Sequence, residues 1–380
     1  MMWWITDWMS RKDPVADLKH FQDKIMNLVK VGGNMENTMV NGQVNQWHFH
    51  NSNASEVTTP TLLIHGYAAS SMAYYRTFQG LTDKISDLYT IDLPSNGLSK
   101  ELPLILDGQT PPPLKVEIHK DGSKFKIIER VDAEHCRSVV KQYEDYYLDS
   151  IELWRKHNGI GRFNLVGHSF GGYIAFKYAV KYPKAVEQLG LISPLGVESN
   201  IYSVNNDWKL DTVYEMESTD PASRMYGKNW EIPKVLFERQ TELLRWMGPI
   251  GAKLCWNYIT AAYNKLPTME YKDYVFELLY GNGGIPKTAR KVFGGLFTRS
   301  LLARDPIMDS MDKLGARKVL LLYGDSDWMN NYAGYRMVEL LNQKRGKGYA
   351  TYDEVPDARH NLFLDNPDSF NDKLIQFLGE

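Results

Sequence analysis

Short apolar runs that stop at turn-forming residues recur along this chain. Thr61-Leu62-Leu63-Ile64 stops at His65-Gly66, Leu88-Tyr89-Thr90-Ile91-Asp92-Leu93 at Pro94-Ser95-Asn96-Gly97, and Lys318-Val319-Leu320-Leu321-Leu322-Tyr323 at Gly324. Apolar runs bounded in this way fit strands buried on both faces of a parallel sheet. Residues 163–166 and 189–193 read the same way, Trp47-His48-Phe49-His50 alternates as a strand does, and a further strand is expected near Tyr352. Between these runs the apolar period lengthens to that of a helix. Val15, Leu18, Phe21, Ile25, Met26 and Leu28 predict a lead-in helix over 14–30, and Tyr143, Tyr146, Tyr147, Ile151 and Trp154 predict a long one over 131–157 that closes at Asn158-Gly159. Further helices are expected at 173–181, around 335–343, and after Pro367.

The alternation breaks twice. Residues 101–128 hold three consecutive prolines, then Lys115-Val116-Glu117-Ile118-His119, Asp121-Gly122 and Lys124-Phe125-Lys126-Ile127-Ile128, which predict a charged hairpin decorating the surface. Residues 195–315 show only aromatic-rich helical and loop segments. The expected architecture is therefore α/β: a mostly parallel central sheet flanked by helices, formed by 1–194 and 316–380, with an inserted helical cap over 195–315.

A chain of 380 residues, 43% hydrophobic and 24% charged, can bury a large core beneath a solvated surface. Its formal net charge of −2 leaves no basic excess for neutralising a phosphate polymer, so nucleic acid is not an expected partner. Cys136 and Cys255 are too far apart in sequence for a metal-ligand or redox motif and are expected to be ordinary buried residues. No apolar run reaches the ~18 residues of a membrane span. The opening Met1-Met2-Trp3-Trp4-Ile5-Thr6-Asp7-Trp8-Met9 shows neither the cleavage site of a secretory signal nor an Arg-rich transit pattern, and leaves targeting open. Its tryptophans suit a peripheral membrane or lipid-droplet contact, because indole favours the bilayer interface; packing onto the protein's own surface is the competing reading.

Gly167-His168-Ser169-Phe170-Gly171 matches G-x-S-x-G and falls between an expected strand and an expected helix, the context in which a strained turn lifts a nucleophilic serine above a sheet edge. A serine hydroxyl needs a base. Hydrolases with this turn place Ser, acid and His in that chain order, and of the nine histidines only His360 follows Ser169. The acid is expected in Gly324-Asp325-Ser326-Asp327-Trp328-Met329, with Asp327 preferred for its spacing from Gly324 and Asp325 as the alternative. Backbone N–H groups of Phe170 and Tyr67 are the expected oxyanion donors, Tyr67 following the flexible His65-Gly66. His65 and His168 are read as loop braces. The run from His360 to Asp365 also matches the H-x-x-x-x-D of glycerolipid acyltransferases, with Asp365 read as favouring the entry of the last helix. No cofactor or metal is called for.

Beyond these motifs the chain resembles the lipid-acting α/β-hydrolase family that includes fungal cardiolipin-specific deacylases, lysophosphatidic acid acyltransferases and the animal lipase coactivator. The likeness rests on the Trp-rich start, Ser150-Ile151-Glu152-Leu153-Trp154-Arg155, Gly248-Pro249-Ile250-Gly251, Gly324 to Met329, and His360 to Asp365. It departs at Pro94-Ser95-Asn96-Gly97, which replaces the usual Gly-x-Gly turn, and at the extra hairpin. The resemblance implies a serine hydrolase that removes a fatty acyl chain from a phospholipid of the cardiolipin type through an acyl-enzyme on Ser169, at a mitochondrial membrane. Lysophosphatidic acid acylation is the alternative within the family, with cytoplasm or lipid droplet as alternative locations. A non-catalytic scaffold for another lipase is the reading from a different class, and family members of that kind carry asparagine where this chain has Ser169.

Overall fold

The computed structural model describes residues 13–106, 114–130, 132–281 and 284–380. The tryptophans of residues 3–8 and the three prolines of 111–113 lie outside the described residues.

Eight strands form the main sheet, in the order β1 (Asn34–Val40), β2 (Val44–His50), β4 (Asp87–Ile91), β3 (Thr61–Ile64), β7 (Phe163–His168), β8 (Val186–Ile192), β10 (Lys318–Gly324), β11 (Ala350–Val355). The pairings from β4 to β11 are parallel, whereas β1 with β2 and β2 with β4 are antiparallel. The central strands are the expected apolar runs, buried along their length because helices cover both faces. The register puts Ile64 opposite both Ile91 and Gly167, and Ile192 opposite both His168 and Leu322. The loops after β3, β7, β8 and β10 therefore leave from one edge of the sheet, where ligands of open α/β sheets bind.

The helices Pro14–Met26, Ala133–His157, Asn331–Arg345 and Pro367–Gly379 lie where the period placed them. The helix after Ser169 begins at Phe170, three residues before the expected 173. Trp154 is fully buried on the Ala133–His157 helix, donating to Gln46 Oε1 at 2.7 Å and packing edge-on against Tyr89 and Phe163, which ties helix to sheet.

Two elements differ from the sequence reading. β1 was not anticipated; its Asn-Met-Glu-Asn-Thr-Met-Val is an edge strand with few buried positions and no clear alternation. The hairpin of β5 (Leu114–Ile118) and β6 (Lys124–Arg130) is more than decoration. It pairs with β9 (Val213–Glu215), from the segment between β8 and β10, in a second sheet of three strands. Its inner face buries Phe125 and Ile127 against Ile201, Trp208 and Tyr226. The hairpin thus ties itself to the segment between β8 and β10, which contains a strand among its helices.

A buried charged group makes a further tie. Lys177, on the helix Phe170–Lys181, lies 2.5 Å from Asp305 of the segment between β8 and β10 and 3.7 Å from Glu144 of the helix Ala133–His157. Burial pushes the Glu144 carboxyl up from 4.5 to about 7, against the pull of Lys177 and the Tyr173 hydroxyl. Between those values the folded chain holds a proton that the unfolded chain has lost, so this group's contribution to stability falls as pH rises through the window. Denaturant titrations at pH ~5 and ~7.5 are expected to show that fall, and Glu144→Gln is expected to reduce it.

Candidate active site

Ser169 follows β7 directly and adopts φ 55°, ψ −118°, a conformation that L residues rarely take and that costs about 1–3 kcal/mol. The neighbouring glycines supply closeness rather than the left-handed turn itself. A Cβ on Gly167 would lie 2.2 Å from the Gly171 carbonyl oxygen, and one on Gly171 would lie 2.3 Å from that of His65. The strain falls on Ser169, held from both sides: its N–H donates to Ile192 O at 2.9 Å and its carbonyl accepts from Leu195 N at 3.0 Å.

His360 meets Asp327 through Nδ1 and Oδ1 at 3.1 Å. The Asp327 side chain is fully buried, and its carboxylate also accepts from the Ser193 hydroxyl and from Met329 N–H at 3.0 Å. Burial alone would raise its pKa, but the hydrogen bond and charge of His360, with those two further donors, hold it below the usual carboxylate range. The other end of the pairing reaches the nucleophile turn. His168 Nε2 donates to the His360 carbonyl at 2.9 Å, and the two imidazoles lie 4.7 Å apart. The structure thus brings His360 beside the residue preceding Ser169. The Ser169 hydroxyl has no hydrogen bond among the described residues; catalytic contacts often tighten only with substrate bound.

The neighbouring carboxylates have other partners. Asp325 accepts from the N–H groups of Asp357 at 2.8 Å and Ala358 at 3.1 Å, anchoring the loop that carries His360. Asp365 accepts from the backbone N–H, Nε and Nη2 of Arg359. Its expected place at the last helix entry belongs to Asn366, whose side chain caps Ser369 N–H. Asp365 closes the preceding turn instead, so it is structural by a different route.

The loop after β3 packs against the nucleophile: a Cβ on Gly66 would lie 3.2 Å from Ser169 Cβ. Backbone N–H groups of Tyr67 and Phe170 have no hydrogen-bond partner among the described residues, and the Tyr67 and Phe170 rings meet edge-on at 5.9 Å. From the segment between β8 and β10, Phe293 stacks on Tyr67 at 4.1 Å and Gln240 accepts from its hydroxyl at 2.8 Å. His65 braces two loops, with Nδ1 on Gly66 O at 2.7 Å and Nε2 accepting from Leu93 N–H at 2.9 Å. Burial lowers the pKa of His65, and burial with the neighbouring His360 charge lowers that of His168 to about 3, so both are neutral.

The departing turn 94–97 solves its geometry differently. Ser95 takes φ 62° where the usual pattern has glycine, and Gly97 keeps φ 54°, since a Cβ there would lie 2.3 Å from the Asp92 carboxylate that organises the turn.

A cavity of about 720 Å³ adjoins the loop after β3 at Ala68. Val15, Met39, Leu98, Leu278, Leu279 and Ile285 give it an apolar wall, with Lys19 and Lys100 beside them. Among the described residues, the group with metal-holding geometry is His48, His50 and Asp87, at the opposite end of the sheet from Ser169. Sequence reasoning overlooked Ser193 and Gln240 and undervalued His168, whose partners come from distant segments. The signal available for Ser193 was its position closing the apolar run 189–192.

The alpha/beta hydrolase fold family matches residues 59–367. Protein ECM18 of Saccharomyces cerevisiae is 51% identical over 364 residues, spanning 96% of this chain and 80% of that protein. The 1-acylglycerol-3-phosphate O-acyltransferase ICT1 of the same organism is 49% identical over 371 residues, spanning 96% and 93%. A (lyso)-N-acylphosphatidylethanolamine lipase of Mus musculus is 26% identical over 60% of this chain and 62% of its own. Among solved structures, a carboxylesterase of Bacillus subtilis, CesB, shares the fold at TM-score 0.57 and 15% identity, covering 96% of this chain and 98% of its own.

Replacing His168 by Phe removes the donor to the His360 carbonyl. A buried carbonyl left unpaired costs about 1–3 kcal/mol, and denaturant unfolding of His168→Phe is expected to register a loss of that size.

Proposed function

The chain belongs to the α/β-hydrolase family, and we propose that within it the chain forms an acyl-enzyme on Ser169 from a fatty acyl ester of a phospholipid and releases the acyl group to water. The observation that carries this reading is the pairing of His360 with the buried carboxylate of Asp327 beside the strained Ser169 turn. On it, His360 takes the Ser169 proton as the hydroxyl attacks the ester carbonyl, and Asp327 fixes the imidazole and stabilises its protonated form. The N–H groups of Phe170 and Tyr67 receive the oxyanion. His360 then returns its proton to the departing lysolipid and activates water against the acyl-enzyme. The segment 195–315 is the cap over this chemistry, and its contacts with Tyr67 support that role. The relatives' names support a lipid substrate. Cardiolipin as the preferred head group, and a mitochondrial membrane as the place, come from the fungal resemblance.

A second reading has a specific observation behind it. The chain is 49% identical, across nearly its full length, to a protein named a 1-acylglycerol-3-phosphate O-acyltransferase. In that reading a lysophospholipid hydroxyl replaces water. The engagement of Asp365 with Arg359 leaves His360 to Asp327, which favours acyl transfer by way of Ser169 over direct action of a His-Asp pair within the H-x-x-x-x-D run.

Purified protein should release fatty acid and lysolipid from phospholipid and label at Ser169 with a fluorophosphonate. Ser169→Ala should lose both. Asp327→Asn should lower kcat by about 10⁴-fold, the scale seen when a triad acid is made neutral, whereas Asp325→Asn should retain most of the activity. Phosphatidic acid formed from acyl-CoA and lysophosphatidic acid with undiminished yield in Ser169→Ala would overturn the acyl-enzyme.

A further inference from the structure

One cap helix, Pro249–Ala262, is apolar on two faces, and the fold covers only one of them. Ala252, Cys255 and Ile259 are buried against the body of the protein. A second stripe, Ile250, Leu254 and Tyr258, recurs every fourth residue and is extended by Trp246 and Met247 from the preceding turn. These side chains stand in solvent: Trp246, Ile250 and Tyr258 are 65%, 66% and 67% exposed. A contiguous apolar stripe of this kind is uncommon on a monomeric surface and marks a docking face.

Charge selects the occupant. From residue 243 to 265 the charged side chains are Arg245, Lys253 and Lys265, with no acid among them. Lys265 is paired with Asp357 and Arg245 is turned to the carbonyls of Tyr280 and Gly281, while Lys253 lies exposed on the stripe's flank. The Arg239 guanidinium, paired with Glu242 at 3.4 Å, lies 5.3 Å from the Trp246 ring, which leaves Lys253 as the exposed cation beside the stripe with no acid paired to it among the described residues. An apolar helix face with indole and phenol at its border and cations beside it is the chemistry of an interfacial helix on anionic lipid.

The stripe is also fastened to the cavity. Tyr280 donates from its hydroxyl to Gly248 O at 2.8 Å and receives Arg245 at its carbonyl, and Leu278 and Leu279 just before it form part of the cavity wall. We infer that the face formed by Trp246, Met247, Ile250, Leu254 and Tyr258 docks on an anionic phospholipid surface, from which the adjoining cavity receives its acyl chain. The acyl chain as cargo rests on the lipid-ester reading above; the docking face does not.

Vesicle co-sedimentation of the full chain separates the outcomes, using phosphatidylcholine alone and phosphatidylcholine with about one-third phosphatidic acid. The unaltered chain should partition preferentially onto the anionic vesicles. Ile250→Glu with Leu254→Glu should lower that partition by about tenfold or more, and Lys253→Gln by about fivefold on anionic vesicles only. Turnover of a soluble short-chain ester should be unchanged in these variants. Ser169→Ala should bind vesicles normally but turn over no ester, so failure of the catalytic reading registers separately. The inference is overturned if the double variant binds like the unaltered chain, if the unaltered chain does not partition at all, or if size-exclusion chromatography shows a dimer that the double variant splits, which would assign the face to a second copy.

Discussion

At the end of the parallel strands three stretches of backbone meet with no room for a side chain between them. Gly167 lies against the Gly171 carbonyl and Gly171 against those of Ile64 and His65. This contact forces the helix to begin at Phe170, straight out of the strand, and leaves Ser169 to absorb the sharp reversal in its own φ and ψ. It also sets the loop carrying Gly66 and Tyr67 against Ser169, with the amides of Tyr67 and Phe170, which have no partner among the described residues, flanking the turn. The strain at Ser169 persists because the surroundings over-determine it: β8 and the loop after it hold its N–H and carbonyl, and two glycines close the remaining space. The strand register completes the arrangement by bringing the ends of β8 and β10, with Ser193 and Asp327, to the same edge.

Those parts of the fold that were legible in the sequence share a physical reason. A strand covered on both faces must be apolar throughout, so β3, β7 and β10 announce themselves as short unbroken runs. β1 carries no such signature, because an edge strand can be polar along its length and still be held by hydrogen bonds to β2. The second sheet was hidden for another reason. Its hairpin is visible locally, but β9 lies more than eighty residues further on and has three residues, too few for any period.

The site divides along the same line. That His360 meets Asp327 close to the Ser169 turn was legible because turn motifs and chain order single out these three residues independently of the rest of the molecule. Asp325 and Asp327 could be ranked by spacing alone, and the structure shows what each is attached to: the first to two backbone amides, the second to an imidazole. Ser193, His168 and Gln240 act on partners that are neighbours only after folding. His168 shows the limit best. Its neutral ring holds the His360 carbonyl across an interval of 192 residues, and nothing in Gly-His-Ser-Phe-Gly announces that partner.

On the proposed reading, hydrolysis and acyl transfer place the same demand on Ser169, Asp327 and His360, because both would proceed from an acyl-enzyme and differ in the hydroxyl that resolves it. On that reading the three side chains cannot carry the choice, which falls to the space at the loop after β3. In this structure a cavity reaching Ala68 of that loop is walled by Leu278, Leu279 and Ile285 of the segment between β8 and β10 on one side and by the helix Pro14–Met26 with β1 on the other, through Val15, Lys19 and Met39. Leu98 and Pro286 add to its apolar wall, and Lys19, Lys100 and Glu101 are the charged residues among its polar lining. On the proposed reading, an acyl chain held there leaves water as the competitor for the acyl-enzyme unless a lysolipid hydroxyl arrives with higher effective concentration. On the two proposals together, a protein docked on a bilayer would draw substrate, product and acceptor from the same surface, so the balance between the two outcomes would be governed by the lipid composition beneath it as much as by Ser169, Asp327 and His360.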